Sequence, residues 1–184
     1  MMWNYWWVTC GVLVPAVLLA SWIDYSQRRV PNWLNAVLAA AGFVAQWAFF
    51  GWSGLAAGLL GMVVGFAVLI VPWAMHGMGA GDVKLMAAIG VWFGPWMTLV
   101  SFALGAVIGG VLAVLMILWR RRASEAWSNL GVILIKLRSP DMMFSEFGSA
   151  KSLGPKPQLL PYGVPLTIGS LIVLSGHVGG WWVV

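Results

Sequence analysis

WNYWWVTCGVLVPAVLLASWI, residues 3–23, carries no charged side chain. A helix needs about 20 apolar residues to cross the hydrocarbon core of a bilayer, so this segment is predicted to be a membrane span. The rest of the chain extends the pattern. Of 184 residues, 61% are hydrophobic and only 8% charged, against roughly a quarter charged in an average soluble domain, which excludes a soluble globular fold. No basic residue precedes the first apolar run, MMWNYWW, so the run reads as a retained span and not as a cleaved secretory signal. The one cysteine, Cys10, lies inside it and leaves neither a disulfide framework nor a thiolate metal cluster; it reads as a packing residue.

Asp24 follows Ile23 directly and begins a polar segment, Asp24, Tyr25, Ser26, Gln27, Arg28, Arg29, Val30, Pro31, Asn32, whose proline and asparagine favour a turn. Residues 30–81 are free of charge, enough for two spans near 33–50 and 55–75, with Gly51, Trp52, Ser53 and Gly54 as the turn between them. After His76, Gly77, Met78, Gly79, Ala80, Gly81, Asp82, Val83 and Lys84, residues 85–119 are again uncharged. Gly94 and Pro95 divide this run into a fourth helix of about 12 residues and a fifth ending at Trp119. Twelve residues rise about 18 Å, short of the core's roughly 30 Å, which is expected to hold Asp82 below the membrane surface. Arg120, Arg121 and Arg122 stop the fifth span. Beyond them Trp127, Leu130, Ile133, Leu134 and Leu137 recur at helical spacing beside Lys136 and Arg138, predicting a helix on the membrane surface, then a loop over 148–157. A sixth span over about 165–182 closes the chain, with Pro165 suited to a helix start. The expectation is one all-α polytopic membrane domain over 1–184, with six spans and a cytoplasmic loop at about 120–160.

Six spans place all ten Lys and Arg residues on one side, which the positive-inside rule makes cytoplasmic, with both termini outside. The fourteen tryptophans then fall near span ends: Trp3, Trp6, Trp7, Trp47, Trp52, Trp92, Trp96, Trp181 and Trp182 outside, Trp22, Trp33, Trp73, Trp119 and Trp127 inside, as interfacial anchors should. The +5 net charge reports orientation in the lipid bilayer; no basic patch with interleaved aromatics points to nucleic acid.

This topology brings Asp24 and Asp82 to the cytoplasmic membrane face and leaves Glu125, Asp141 and Glu146 as solvated loop charges. Ionisable groups at such depth are costly and mark function. Two carboxylates at one site share a proton and titrate as a unit. One then serves as general base on a water while the other hydrogen-bonds the scissile carbonyl and later donates to the leaving amine, the arrangement of an aspartic protease. Gly79 and Gly81 allow unusual backbone dihedrals and close approach of an extended peptide. Asp82 opens a helix, where the macrodipole favours an anion, whereas Asp24 ends one, where it does not; which of the two is the base stays open. Helix capping accounts for Asp82 alone better than for the pair. Arg28, Arg29 and Lys84 read as cytoplasmic anchors that also lie where a substrate would pass. His76 and His177 have no metal-ligand company, and no metal or other cofactor is expected. A small proton- or cation-coupled transporter using the same aspartates is the rival reading, disfavoured by the lack of similarity between the two halves. A non-catalytic assembly factor leaves both aspartates unexplained.

Gly79, Ala80, Gly81, Asp82, Val83, Lys84, Leu85 resembles the Gly-x-Gly-Asp motif of the bacterial type IV prepilin peptidases. The Asp24 to Asn32 segment resembles that family's aspartate followed by a basic Pro-Asn segment, here Pro31 and Asn32. Leu160, Pro161, Tyr162, Gly163, Val164, Pro165 is similar to the Pro-Tyr-Gly segment before the last span of the short, TadV/CpaA-like members. Singly the motifs are weak; in this order and on one membrane face they are specific. The resemblance implies metal-free cleavage, after a glycine, of the amino-terminal leader of prepilin or pseudopilin substrates, on the cytoplasmic side of a bacterial inner membrane. It adds Pro161, Tyr162 and Gly163 to the expected surroundings of the pair. Larger bifunctional members also methylate the new amino terminus and carry a cytoplasmic domain with paired cysteines; here only nine residues, 24–32, form the polar segment between the first two spans.

Overall fold

The computed structural model describes residues 2–27, 29–74, 78–119 and 162–181, and among these the regular structure is entirely helical. Four elements follow in order: α1 (Met2–Gln27), α2 (Asn32–Ala74), α3 (Ala80–Trp119) and α4 (Gly163–Val178). The surface helix and loop expected within 120–160 lie outside the described residues, as do Arg28, His76, Pro161 and Trp182. Three of the helices, α1, α2 and α3, are long and apolar enough to cross a membrane.

Both long helices are broken by one glycine each: α2 at Gly51 (φ 62°, ψ −140°) and α3 at Gly94 (φ 72°, ψ 178°). Only glycine enters these dihedrals without steric cost, so the breaks fall where the sequence marked them. The first is tighter than the four-residue turn expected over 51–54, since no residue beside Gly51 leaves helical dihedrals. Ser53 Oγ donates to the Phe50 carbonyl at 2.7 Å across it. Pro95 follows Gly94 directly and fixes the start of the next arm, the helix position a proline tolerates best.

Two boundaries differ from expectation. α1 continues through Asp24 to Gln27, because Asp24 packs into the bundle and is only 4% exposed. α4 begins at Gly163 and ends at Val178, where Gly179 N–H bonds the Ser175 carbonyl and Gly180 turns the chain at φ 72°.

The first arm of α3 is the centre of the molecule. From Asp82 to Gly94 every residue except Lys84 is buried, as in a helix that is apolar all round. The second arm of α2 lies against it with the backbones in contact: a Cβ at Gly61 or at Gly90 would strike the other's carbonyl, the close approach that small residues allow between membrane helices. Trp7, Leu18, Val37, Val44, Leu60 and Val107 are all more than half exposed, an outward apolar surface far beyond the patches of a water-soluble monomer.

The break at Gly94 leaves the last carbonyls of the first α3 arm without helical partners, and in an apolar setting these must be met by side chains. Gln46 Nε2 donates to the Val91 carbonyl at 3.0 Å and Tyr5 Oη to the Trp92 carbonyl at 2.6 Å. Trp92 in turn donates from Nε1 to the Leu38 carbonyl at 2.9 Å. Replacing Gln46 by leucine strips a buried carbonyl of its donor and is expected to cost about 1–3 kcal/mol, read as a lower unfolding midpoint in detergent; an unchanged midpoint would refute the capping role.

Candidate active site

Three helix ends meet at one place: the C-terminal end of α1, bearing Asp24, and the N-terminal ends of α3 and α4, bearing Asp82 and Gly163. Both carboxyl groups are buried, Asp24 at 4% and Asp82 at 5% exposure. Asp24 Oδ2 accepts the Gly163 N–H, the first of α4, at 3.0 Å. Tyr162, at the N-cap of α4, makes no side-chain cap, so a carboxylate from another helix meets that orphan amide. Asp82 reaches back within its own first turn, Oδ2 accepting the Gly79 N–H at 3.3 Å, as the acidic member of a capping box does. Its other oxygen, Oδ1, is buried with no hydrogen-bond partner among the described residues. The two carboxylates act on each other electrostatically. Tyr162 is half-buried against the buried cluster of Leu69, Met78, Val83, Met86 and Leu166, and burial first, then the Asp82 charge, pushes its phenol above the usual value.

The segment after α1 braces the segment before Asp82. A Cβ on Gly81 would lie 3.1 Å from both the N and O of Val30, so the missing side chain of Gly81 is what lets the two chain segments pack. Asn35 Nδ2 donates to the Gly81 carbonyl at 3.2 Å, and Lys84 Nζ donates to Asn32 Oδ1 at 2.9 Å. Gly79 is different: it is exposed, and a Cβ there would meet only Asp82 Oδ2 at 3.4 Å and Gly81 N at 3.9 Å among the described atoms. Of the two motif glycines, Gly79 has the open side toward Asp82, while Gly81 is closed over by Val30.

Asp24, Asp82, Gly79, Gly81, Lys84, Asn32, Tyr162 and Gly163 thus come together, with Pro31 half-buried in the bracing segment. Arg29 is exposed and donates to Gln27 Oε1 at 3.3 Å; Arg28 and Pro161 fall outside the described residues. Sequence reasoning passed over Asn35, an uncharged polar residue in the first turn of α2 that is only 4% exposed. It also passed over Ser21, whose Oγ donates to Thr167 Oγ1 at 2.6 Å and ties α1 to α4 beside Asp24. Among the described residues no three of His, Cys, Asp and Glu converge as a metal-binding group would.

Residues 11–114, which include both aspartates, match the model of the type IV leader peptidase family, and the chain belongs to that family. With its apolar helices it is a multi-pass membrane protein. Among curated proteins it is similar to a prepilin leader peptidase/N-methyltransferase of Burkholderia pseudomallei (strain 1026b), 34% identical over 118 residues, covering 60% of this chain and 37% of that one. The protein of the same name from Escherichia coli (strain K12) is 35% identical over 131 residues, covering 64% of this chain and 57% of the relative. That of Neisseria gonorrhoeae is 32% identical over 125 residues, covering 62% and 43%. The chain therefore spans 37% to 57% of the length of these relatives. No solved structure matches it.

Asn35→Ala removes the donor that holds the Gly81 carbonyl. Hydrogen exchange is expected to rise in peptides covering 79–84 and to stay unchanged in peptides from the second α3 arm, with a stability loss of about 1 kcal/mol. Unaltered exchange at 79–84 would show that Asn35 does not brace the Asp82 turn.

Proposed function

We propose that the protein is a membrane aspartic endopeptidase of the short TadV/CpaA-like form, which removes the amino-terminal leader of type IV prepilin or pseudopilin substrates with Asp24 and Asp82 as its catalytic pair. The observation that carries this is two buried carboxylates, contributed by different helices and in each other's field, inside the region that matches a leader peptidase family. Burying two acids is unfavourable unless they work, and capping a helix start does not account for bringing two buried acids together or for the unpartnered Oδ1 of Asp82.

In this reading the arms on either side of Gly51 and Gly94 cross the membrane separately. With α1 and α4 they make six crossings in a single domain over 1–184, and the 120–160 stretch is a cytoplasmic loop. The basic residues then lie on the cytoplasmic side of a bacterial inner membrane with both termini outside, and the pair faces the cytoplasm, where a leader is found before export. A substrate whose leader precedes an apolar helix would lay that helix along the bundle and present the junction as an extended strand. Gly79 supports this by its open side beside Asp82. Lys84, Asn32 and Pro31 hold the bracing segment, Tyr162 and Gly163 the α4 end, and Arg28 and Arg29 anchor the face. Hydrolysis proceeds by attack of a water on the scissile carbonyl, one carboxylate taking its proton while the other hydrogen-bonds the carbonyl oxygen. Leader cleavage is the activity that two acids explain. Between α1 and α2 only residues 28–31 intervene.

Co-expression of a candidate prepilin with wild type, Asp24→Asn and Asp82→Asn is expected to show cleavage lost in both variants at equal membrane abundance. Cleavage surviving either change would remove the aspartic mechanism and favour the carrier reading. A Cβ at Gly163 would lie 2.8 Å from Asp24 Oδ2, so Gly163→Ala should displace that carboxylate and slow cleavage by about a hundredfold while the protein still accumulates; full activity in this variant would contradict the assigned site.

A further inference from the structure

The two acids are held by unlike surroundings. Asp24 stands at the end of α1, where the helix dipole opposes a negative charge, yet its Oδ2 receives the first amide of α4 at 3.0 Å in a buried setting. Helix starts favour anions through both the dipole and the directed N–H group, so the α4 terminus supplies what the α1 terminus withholds. Asp82 has one longer bond, 3.3 Å from Gly79 N–H to Oδ2. Its Oδ1 is buried and has no donor among the described residues. An anionic oxygen left without a partner in an apolar interior costs far more than a neutral, protonated one left in the same place. Among the described residues, the other titratable side chains on the segments that meet here are Tyr25, Arg29, Lys84 and Tyr162. The first three are exposed, with Lys84 engaged by Asn32, and Tyr162 presents a phenol to the Asp82 side of the site.

We propose that the pair is asymmetric: Asp24 is the general base, resident as the carboxylate, and Asp82 is the general acid, resident with its proton on Oδ1. The assignment rests on the peptidase reading above and reverses what the helix starts and ends of the sequence alone favour. In the first step the water oxygen bonds to the carbonyl carbon, its proton passes to Asp24, and the Asp82 proton passes to the carbonyl oxygen, giving a neutral gem-diol. In the second step the proton on the leaving nitrogen comes from Asp24, the former base, and not from its partner as expected from the sequence, and the C–N bond breaks. Asp82 takes a proton from one hydroxyl as the carbonyl re-forms, and both acids return to their resting states.

Infrared spectra of the full chain in detergent at neutral pH test this without any turnover. A protonated carboxylic acid band is expected in wild type, retained in Asp24→Asn and lost in Asp82→Asn. A band absent from wild type, lost in Asp24→Asn, or retained in Asp82→Asn would overturn the assignment. Wild type treated with a small diazo ester gives a readout free of substitutions. The reagent takes a proton from a carboxylic acid, loses dinitrogen and is captured by the resulting carboxylate, so the ester is expected on Asp82; an ester mapped to Asp24 would overturn the proposal. Loss of leader cleavage in both variants together with a reversed band pattern would sink this assignment and keep the peptidase reading. The expected band pattern with cleavage surviving in either variant would remove the aspartic mechanism, and with it the base and acid roles assigned here.

Discussion

A buried carboxylate in an apolar bundle has to be held by hydrogen-bond donors, and helix ends are the only ready supply of spare backbone N–H groups. The arrangement around Asp24 and Asp82 follows from that requirement. Each acid takes an amide from the start of a helix, Asp82 from the turn that opens α3 and Asp24 from the first residue of α4. The bundle is organised so that those ends arrive together, and the polar ties that bring α4 against α1, Ser21 to Thr167 and Thr167 to the Val17 carbonyl, lie within two turns of the site.

The same rule governs the opposite end of the short buried arm. Ending a helix inside the molecule exposes carbonyls, and Gln46 and Tyr5 answer them as backbone amides answer the aspartates. The arm is thereby fixed at both ends, Asp82 at one and Trp92 at the other. Its position is further set by backbone contact with the second arm of α2 at Gly61 and Gly90. Rigid placement of a reactive group on a packed helix is what precise proton transfer requires.

Much of this was legible in the chain. Charge-free runs located the helices, and their breaks were marked by the turn group Gly51, Trp52, Ser53 and Gly54 and by Gly94 with Pro95. Asp24 and Asp82 stood out because charge is scarce. What the sequence did not carry is direction in space. The end of α1 was misplaced because Asp24 reads locally as the first polar residue of a turn, while its partner amide lies far along the chain at Gly163. Gly79 and Gly81 look alike in sequence, yet one faces Val30 and the other is open, a distinction that depends on which segment passes beside them. Asn35 was missed for the same reason, since its acceptor, the Gly81 carbonyl, is 46 residues away.

The bond from Gly163 to Asp24 spans 139 positions, and this separation has a bearing on biogenesis. A chain made from its amino terminus inserts Asp24 early and holds it without this amide until α4 is synthesised and docked. Contacts of such long range form late in folding. Until then Asp24 lacks its helix-start donor, so the site matures only once α4 has docked, and a partly made chain in the membrane holds both acids without the geometry that joins them.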